Sequence, residues 1–264
     1  MNKSKTIFIT GSGSGFGYAS AISLAKRGHK VIATTHTEAS AKDLNTFATA
    51  NNLDIESFKL DISAPEDRNK IKDYDIDVLI NNAATGQSGS LAEITLERLQ
   101  SDFEVNVFGT IALTQLALKN MIKKNFGTVV FISSLAARAP MPFLGSYSMT
   151  KSALSSGVSV LRKEIKNLSK NIHISLIEPG AYHTGFNQKN IAKKYEWMDE
   201  SSFFFKKIDK LKKDENSYFE KLELNSTKSI VNKIVRACEV DKPKKRYSAP
   251  WWQSIGAEFL KMFN

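Results

Sequence analysis

The chain has 264 residues, 42% of them hydrophobic, enough to bury the core of one large domain. Its 37 lysines and arginines against 27 acidic residues give a net charge of +10, which suits phosphate-bearing ligands, nucleic acid or anionic lipid without choosing among them. The one cysteine, Cys238, excludes an internal disulfide and fits a cytoplasmic protein, and no helix-turn-helix, zinc-finger or RNP-type pattern supports nucleic acid as a partner.

The first predicted strand covers residues 6–10, and its apolar run, Ile7-Phe8-Ile9, is too short for a signal peptide or a membrane span. Directly after it comes Thr10-Gly11-Ser12-Gly13-Ser14-Gly15-Phe16-Gly17, leading into a helix over 19–26 that Gly28 closes. Glycines between a strand and a helix let the backbone approach a pyrophosphate, which the free N–H groups of the helix start attract. The spacing is Gly-x-x-x-Gly-x-Gly through Gly11, Gly15 and Gly17, not G-x-G-x-x-G.

A second strand over 30–34 runs into Thr35, His36 and Thr37. An acidic residue there would bind the adenosine ribose and repel a 2′-phosphate; hydroxyls and a histidine accommodate one, which favours NADP over NAD. Further strands are predicted over 55–60, 77–80, 128–133 and 172–177, with the crossover between 61 and 77 reduced to a turn or two and a long helix over 96–121. Strands alternating with helices predict an α/β fold, a Rossmann-like doubly wound parallel sheet with helices on both faces, as a single domain over 1–264.

The strongest chemical signal is Tyr147-Ser148-Met149-Thr150-Lys151 at the start of an apolar helix. A spacing of four puts phenol and amine on one face. A neighbouring ammonium favours phenolate and lowers a tyrosine pKa, so Tyr147 is expected to act as general acid/base with Lys151 tuning it. Beyond Gly180 the character changes: 185–225 is a lysine-rich insertion with Phe186, Tyr195, Trp197, Phe203, Phe204, Phe205, Tyr218 and Phe219, suited either to covering an apolar substrate or to packing on itself. A helix over 226–238, a basic run (Lys242, Lys244, Lys245, Arg246) and a strand near Tyr247 follow. In the tail, 250–264, Trp252, Ile255, Phe259 and Phe263 form an apolar stripe that needs a cover. Docking in a homo-oligomer, a dimer or tetramer, is expected over peripheral contact with a membrane. Histidines 29, 36, 173 and 183 are scattered, so no catalytic metal is expected.

Taken in order, these landmarks from about residue 6 to 184 resemble the short-chain dehydrogenase/reductase family, of the Tyr-x-x-x-Lys single-domain type. The resemblance implies that Gly11, Ser14, Gly15, Phe16 and Gly17 hold the pyrophosphate and that Asp61 and Ile62 face the adenine. Asn81-Asn82-Ala83 resembles the family's Asn-Asn-Ala-Gly, with Ala84 in place of the glycine, and brings Asn82 and Ala83 to the cofactor. Ser134, thirteen positions before Tyr147, matches the serine that hydrogen-bonds the substrate oxygen, and strand alternation separates it from Ser133. Asn106 resembles the asparagine that anchors a proton-relay water. Pro179, Gly180 and Thr184 match the segment that flanks the nicotinamide carboxamide.

The implied activity is an NADP-dependent oxidoreductase passing hydride between nicotinamide and a small hydrophobic ketone or alcohol. The alternative is a cofactor-binding sensor or scaffold that turns nothing over. An epimerase or dehydratase on a related fold would need Gly-x-x-Gly-x-x-Gly, which Ser14 breaks.

Overall fold

The computed structural model describes residues 3–262. Seven strands form one sheet: β1 (Thr6–Ile9), β2 (Lys30–Thr35), β3 (Ile55–Lys59), β4 (Val78–Asn81), β5 (Gly127–Ile132), β6 (Ile172–Pro179) and β7 (Arg246–Ala249). Their spatial order is β3-β2-β1-β4-β5-β6-β7, and every neighbouring pair is parallel. β1, β4 and β5 are buried nearly throughout, which is what a parallel sheet covered on both faces requires of its central strands.

Alternation along the strands divides the core in two. Ile7, Ile9, Val31, Ala33, Val78 and Ile80 face one layer, where α1 (Gly15–Ala25) and α9 (Lys228–Glu239) supply Leu24, Ile230, Ile234 and Val235. Phe8, Ile32, Leu79, Val129 and Phe131 face the other, against Leu113, Ala117 and Met121 of α5 (Thr110–Lys124) and Leu154 and Val158 of α6 (Gly145–Leu168). α2 (Glu38–Ala50) covers the β2–β3 side, and its Asn45 pairs with both backbone groups of Ser57 on edge strand β3, donating to the carbonyl at 2.7 Å and accepting from the N–H at 2.8 Å. That side chain satisfies part of an edge that would otherwise be open to another strand.

The short crossover after β3 is α3 (Pro65–Asn69) and a 3₁₀ turn, as its length predicts. The helix expected over 96–121 is interrupted: α4 (Leu96–Phe103) passes through a π-helical turn, Glu104–Gly109, into α5. The wider turn lies against the chain after β3, where any Cβ on Gly109 would overlap the Ile62 carbonyl. Such turns often mark functional positions because they re-aim a side chain within a continuous helix.

The insertion folds as α7 (Phe186–Lys194), a 3₁₀ turn and α8 (Ile208–Leu222). Its two ends are joined by the bridge Tyr182↔Leu224, and Glu223 accepts hydrogen bonds from Asn187 and Gln188 of α7, both 2.7 Å, while pairing with His183 at 2.9 Å. Inside it, buried Lys194 pairs with Glu215, which also accepts from the Tyr195 hydroxyl at 2.6 Å.

The tail is a helix, α10 (Trp251–Lys261). Polar brackets hold it: Gln253 accepts from Ala181 N–H and donates to the Leu222 carbonyl, and Glu258 pairs with Arg138, whose guanidinium also holds buried Glu178. The apolar stripe is exposed in the single chain, with Trp252 at 41% and Ile255 and Phe259 more than half accessible. Phe263, counted in the same stripe, lies outside the described residues. Among the described residues no helix is long and apolar enough to cross a membrane.

Candidate active site

Strand order reverses between β1 and β4, so the chain leaves their C-terminal ends in opposite directions and opens a crevice there. The glycine loop lines it. Gly11 has φ +70°, and a Cβ on it would stand 2.7 Å from Ala83 Cα; a Cβ on Gly17 would overlap the Gly11 carbonyl and the Asn82 amide nitrogen. The loop can therefore only pack this closely with glycines. Ser14 is the N-cap of α1, exposed and without a side-chain hydrogen bond to the helix, so its hydroxyl leaves the first N–H groups of α1 uncapped. Gly15 packs on Thr184, and the Phe16 ring meets Tyr182 edge-on at 5.4 Å.

Asn82 braces the loop: its Nδ2 donates to the carbonyls of Thr10 and Gly11, both 2.9 Å, while the N–H groups of Asn82 and Ala83 donate to Thr10 Oγ1, both 3.0 Å. At the end of β2, which extends to Thr35, the Thr35 hydroxyl is buried and donates to the Thr37 carbonyl, while His36 is exposed. Thr37 caps α2 by accepting from Ser40 N–H at 3.2 Å, and Ser40 stands beside Gly13. Asp61 closes a tight turn, accepting from Ser63 N–H and Oγ; these bonds, with His36 nearby, hold its carboxyl below its ordinary value although burial opposes them. Ile62 beside it is buried. Pro179 ends β6, and Gly180 N–H donates to the Ala249 carbonyl at 2.9 Å.

Tyr147 and Lys151 lie in the first turns of α6, with the ammonium 5.6 Å from the phenol ring centroid. Ser134 follows β5, its hydroxyl accepting from Ala136 N–H at 3.1 Å and hydrogen-bonded to the Tyr147 side chain. Ser133 turns the other way, to Ser155 Oγ at 2.8 Å and the Lys151 carbonyl. Asn106 is buried in the π turn: it donates to the Thr85 carbonyl at 2.8 Å and Thr150 Oγ1 at 3.0 Å, and accepts from Thr85 N–H at 2.9 Å. It thus ties the chain after β4 to the residue next to Lys151. These bonds, each to a group fixed by the fold, make it a buried structural bracket, where a mid-helix asparagine would otherwise be exposed.

The electrostatics differ from the expectation that Lys151 lowers the Tyr147 pKa. Burial pushes the phenol up to about 12, opposed by the Ser134 hydrogen bond. Burial also pushes Lys151 down from 10.5 to about 8, and its Nζ donates to the Ile132 carbonyl at 2.9 Å instead of to the phenol oxygen. Desolvation of both charged forms outweighs their attraction.

Sequence reasoning missed Asp102. It is fully buried in α4, and Oδ2 accepts from Gln87 N–H at 2.7 Å and Ser146 Oγ at 2.5 Å, so it fastens the loop after β4 to the start of α6. Burial raises its own pKa, and its charge raises those of Tyr147 and Lys151. An aspartate four residues before Asn106 was the available signal, but only packing shows that it points inward. The insertion's aromatics divide: Phe186 meets the Tyr147 ring at 5.7 Å, Phe204 packs on Phe143 at 5.1 Å, and Tyr218 and Phe219 pack on each other. Among the described residues no group of three His, Cys, Asp or Glu side chains could hold a metal ion.

Known proteins resemble the chain in sequence and in fold. The family model described as short chain dehydrogenase matches residues 5–195. A Helicobacter pylori protein named "Probable short-chain type dehydrogenase/reductase VdlC" is 31% identical over 90% of this chain and 86% of its own. A short-chain dehydrogenase from Streptomyces avermitilis superposes with TM-score 0.78 at 24% identity, over 99% of this chain and 93% of its own. A short chain dehydrogenase/reductase from Burkholderia phymatum, solved in complex with NAD, superposes with TM-score 0.68 at 25% identity, over 76% and 74% of the two chains.

The buried amine makes a measurable signature. Between about pH 8 and 10.5 the unfolded chain keeps a proton that folded Lys151 has released, so the stability contributed by this residue rises with pH across that window. Urea unfolding of the native chain and of Lys151→Met should show the native chain gaining roughly 3 kcal/mol relative to the variant from pH 8 to 10.5. A difference that stays flat or falls would show that Lys151 is not desolvated as described.

Proposed function

The chain belongs to the short-chain dehydrogenase family and is an oxidoreductase of that type, and from that membership we propose that it passes hydride between NADP and a small hydrophobic ketone or alcohol. The observation that carries this reading is the convergence of Ser134, Tyr147 and Lys151 within one crevice that the glycine loop also lines. The chain Ala83, Thr85, Asn106 and Thr150 connects loop and catalytic helix through direct contacts.

The dinucleotide fits what the residues offer. Gly11, Ser14, Gly15, Phe16 and Gly17 present backbone N–H groups and a helix start to the pyrophosphate. Asp61 and Ile62 would bound the adenine, Asn82 and Ala83 the adjoining ribose side, and Pro179, Gly180 and Thr184 the carboxamide. Thr35 and His36, with the Ser40 hydroxyl beside Gly13 and no carboxylate at positions 34–37, support the 2′-phosphorylated form. When bound, the nicotinamide supplies or takes up the hydride.

Tyr147 holds the transferable proton at its hydroxyl. Pushed up to about 12, the phenol is protonated throughout the neutral range, which suits proton donation to a carbonyl oxygen as a ketone is reduced. Ser134 donates to that oxygen as charge develops on it. Lys151 sits one turn away, the residue that the family resemblance assigns to the nicotinamide ribose, and Asn106 and Asp102 hold α6 in register with the loop after β4. Phe186 supports an apolar substrate face. A second copy of the chain covers the α10 stripe in this proposal, since apolar patches of that kind usually mark contacts.

In fluorescence titrations NADPH should bind at least tenfold more tightly than NADH; NADH bound equally or more tightly would overturn the cofactor choice. Tyr147→Phe should leave NADPH affinity within about twofold and lower turnover 10²- to 10⁴-fold, and a variant that keeps its rate would exclude the phenol as the proton donor. Light scattering on a chain ending at Pro250 should report a smaller assembly than the full chain; an unchanged mass would remove α10 from the interface.

A further inference from the structure

One side chain of α10 reaches into the join between β6 and the insertion. The Gln253 amide accepts from Ala181 N–H at 2.7 Å and donates to the Leu222 carbonyl at 2.8 Å. Both partners are backbone groups that the regular elements leave over. Leu222 ends α8, where the last carbonyls have no partner within the helix, and Ala181 lies just past the end of β6. One amide, with an acceptor at one atom and a donor at the other, satisfies both.

The chain leaves space for this amide. A Cβ on Gly180 would overlap Gln253 Oε1, so a side chain at that position would displace it. Gly180 is not among the glycines with positive φ, so its backbone conformation does not itself ask for glycine. What the missing side chain provides is room for Gln253. Further along α10, the Glu258–Arg138 pair at 2.9 Å holds the helix in place.

Across from Gln253 the same segment meets the glycine loop. Thr184 Cβ lies 3.4 Å from where a Cβ of Gly15 would stand, and the Tyr182 ring meets Phe16 edge-on at 5.4 Å. Residues 181–184 therefore touch α10 at one end and the glycine loop at the other. Leu224 N–H donates to the Ala181 carbonyl at 3.1 Å, and His183 N–H donates to the Leu224 carbonyl at 3.0 Å. Those backbone bonds do not involve Gln253, so removing its amide loosens the join without undoing it.

We infer that Gln253 is a positioning residue for the cofactor and for the substrate cover. Its oxygen sets residues 181–184 against the glycine loop, and its nitrogen sets the end of α8, and with it the insertion, against the same point. The inference rests on the redox reading above, which puts the nicotinamide carboxamide at Pro179, Gly180 and Thr184. Gln253 acts through these residues and touches neither ligand.

The two roles can be separated. Gln253→Glu keeps an acceptor for Ala181 and loses the donor to Leu222, whereas Gln253→Ala loses both. Fluorescence titration near neutral pH uses whichever of NADPH and NADH the native chain binds more tightly. Gln253→Ala should bind it about tenfold more weakly than the native chain, and Gln253→Glu should stay within about threefold. Hydrogen exchange should show the same division: faster at Ala181 and at 220–224 in Gln253→Ala, faster only at 220–224 in Gln253→Glu. A merely structural role would lower the melting temperature of both variants without separating their cofactor affinities. Equal affinity in all three chains, or equal weakening in the two variants, would overturn the positioning role and leave the redox reading standing. A native chain that binds neither NADPH nor NADH would remove both.

Discussion

The knot between Thr10 and Asn82 is the constraint on which the rest of the site depends. Two adjacent strands part at their C-terminal ends, and the gap they leave is useful only if the loops on its two sides keep a fixed distance. One threonine hydroxyl accepting two N–H groups and one asparagine amide donating to two carbonyls set that distance. They also satisfy polar groups that burial would otherwise leave unpaired. With the loop held, α1 begins at the crevice, and the chain after β4 leads directly to Thr85 and so to Asn106. The glycine loop and the start of α6 are thus tied into one hydrogen-bonded frame.

Low solvent exposure around Tyr147 and Lys151 cuts in two directions. It raises the cost of phenolate and of ammonium together, so Tyr147 stays protonated while Lys151 is pulled toward neutrality. Asp102 returns part of the charge balance by favouring the Lys151 cation, but it also disfavours phenolate. An amine with a pKa near 8 can change charge within the physiological range, whereas an exposed lysine would not. The geometry that stores the proton on Tyr147 is therefore the same geometry that makes Lys151 responsive.

The insertion and the tail are held from the same places. Gln253 joins Ala181, at the insertion's entry, to Leu222, at its exit, and Glu223 gathers Asn187, Gln188 and His183 at the base. Arg138, just past Ser134, reaches both Glu178 under the sheet edge and Glu258 on α10. α10 is consequently fixed by its polar positions while its apolar ones stay outside, and anything that covers that stripe lies one residue's reach from the insertion.

The sequence alone determined the elements whose signal is local. Apolar runs marked six strands to within two residues at each end, because a buried parallel strand needs consecutive hydrophobic positions. The glycine spacing located the loop, and the Tyr147–Lys151 spacing put phenol and ammonium on one face of α6, since helical periodicity is written in the chain. What tertiary structure decided are the properties that arise between elements. The π turn at Asn106 ends where Gly109 packs on Ile62, 47 positions earlier in the chain. The inward orientation of Asp102 and Asn190 depends on which face of α4 and α7 the loop after β4 covers. The direction of the Tyr147 pKa shift was misread from sequence for the same reason: proximity of an ammonium is local, but desolvation is set by everything packed around the pair.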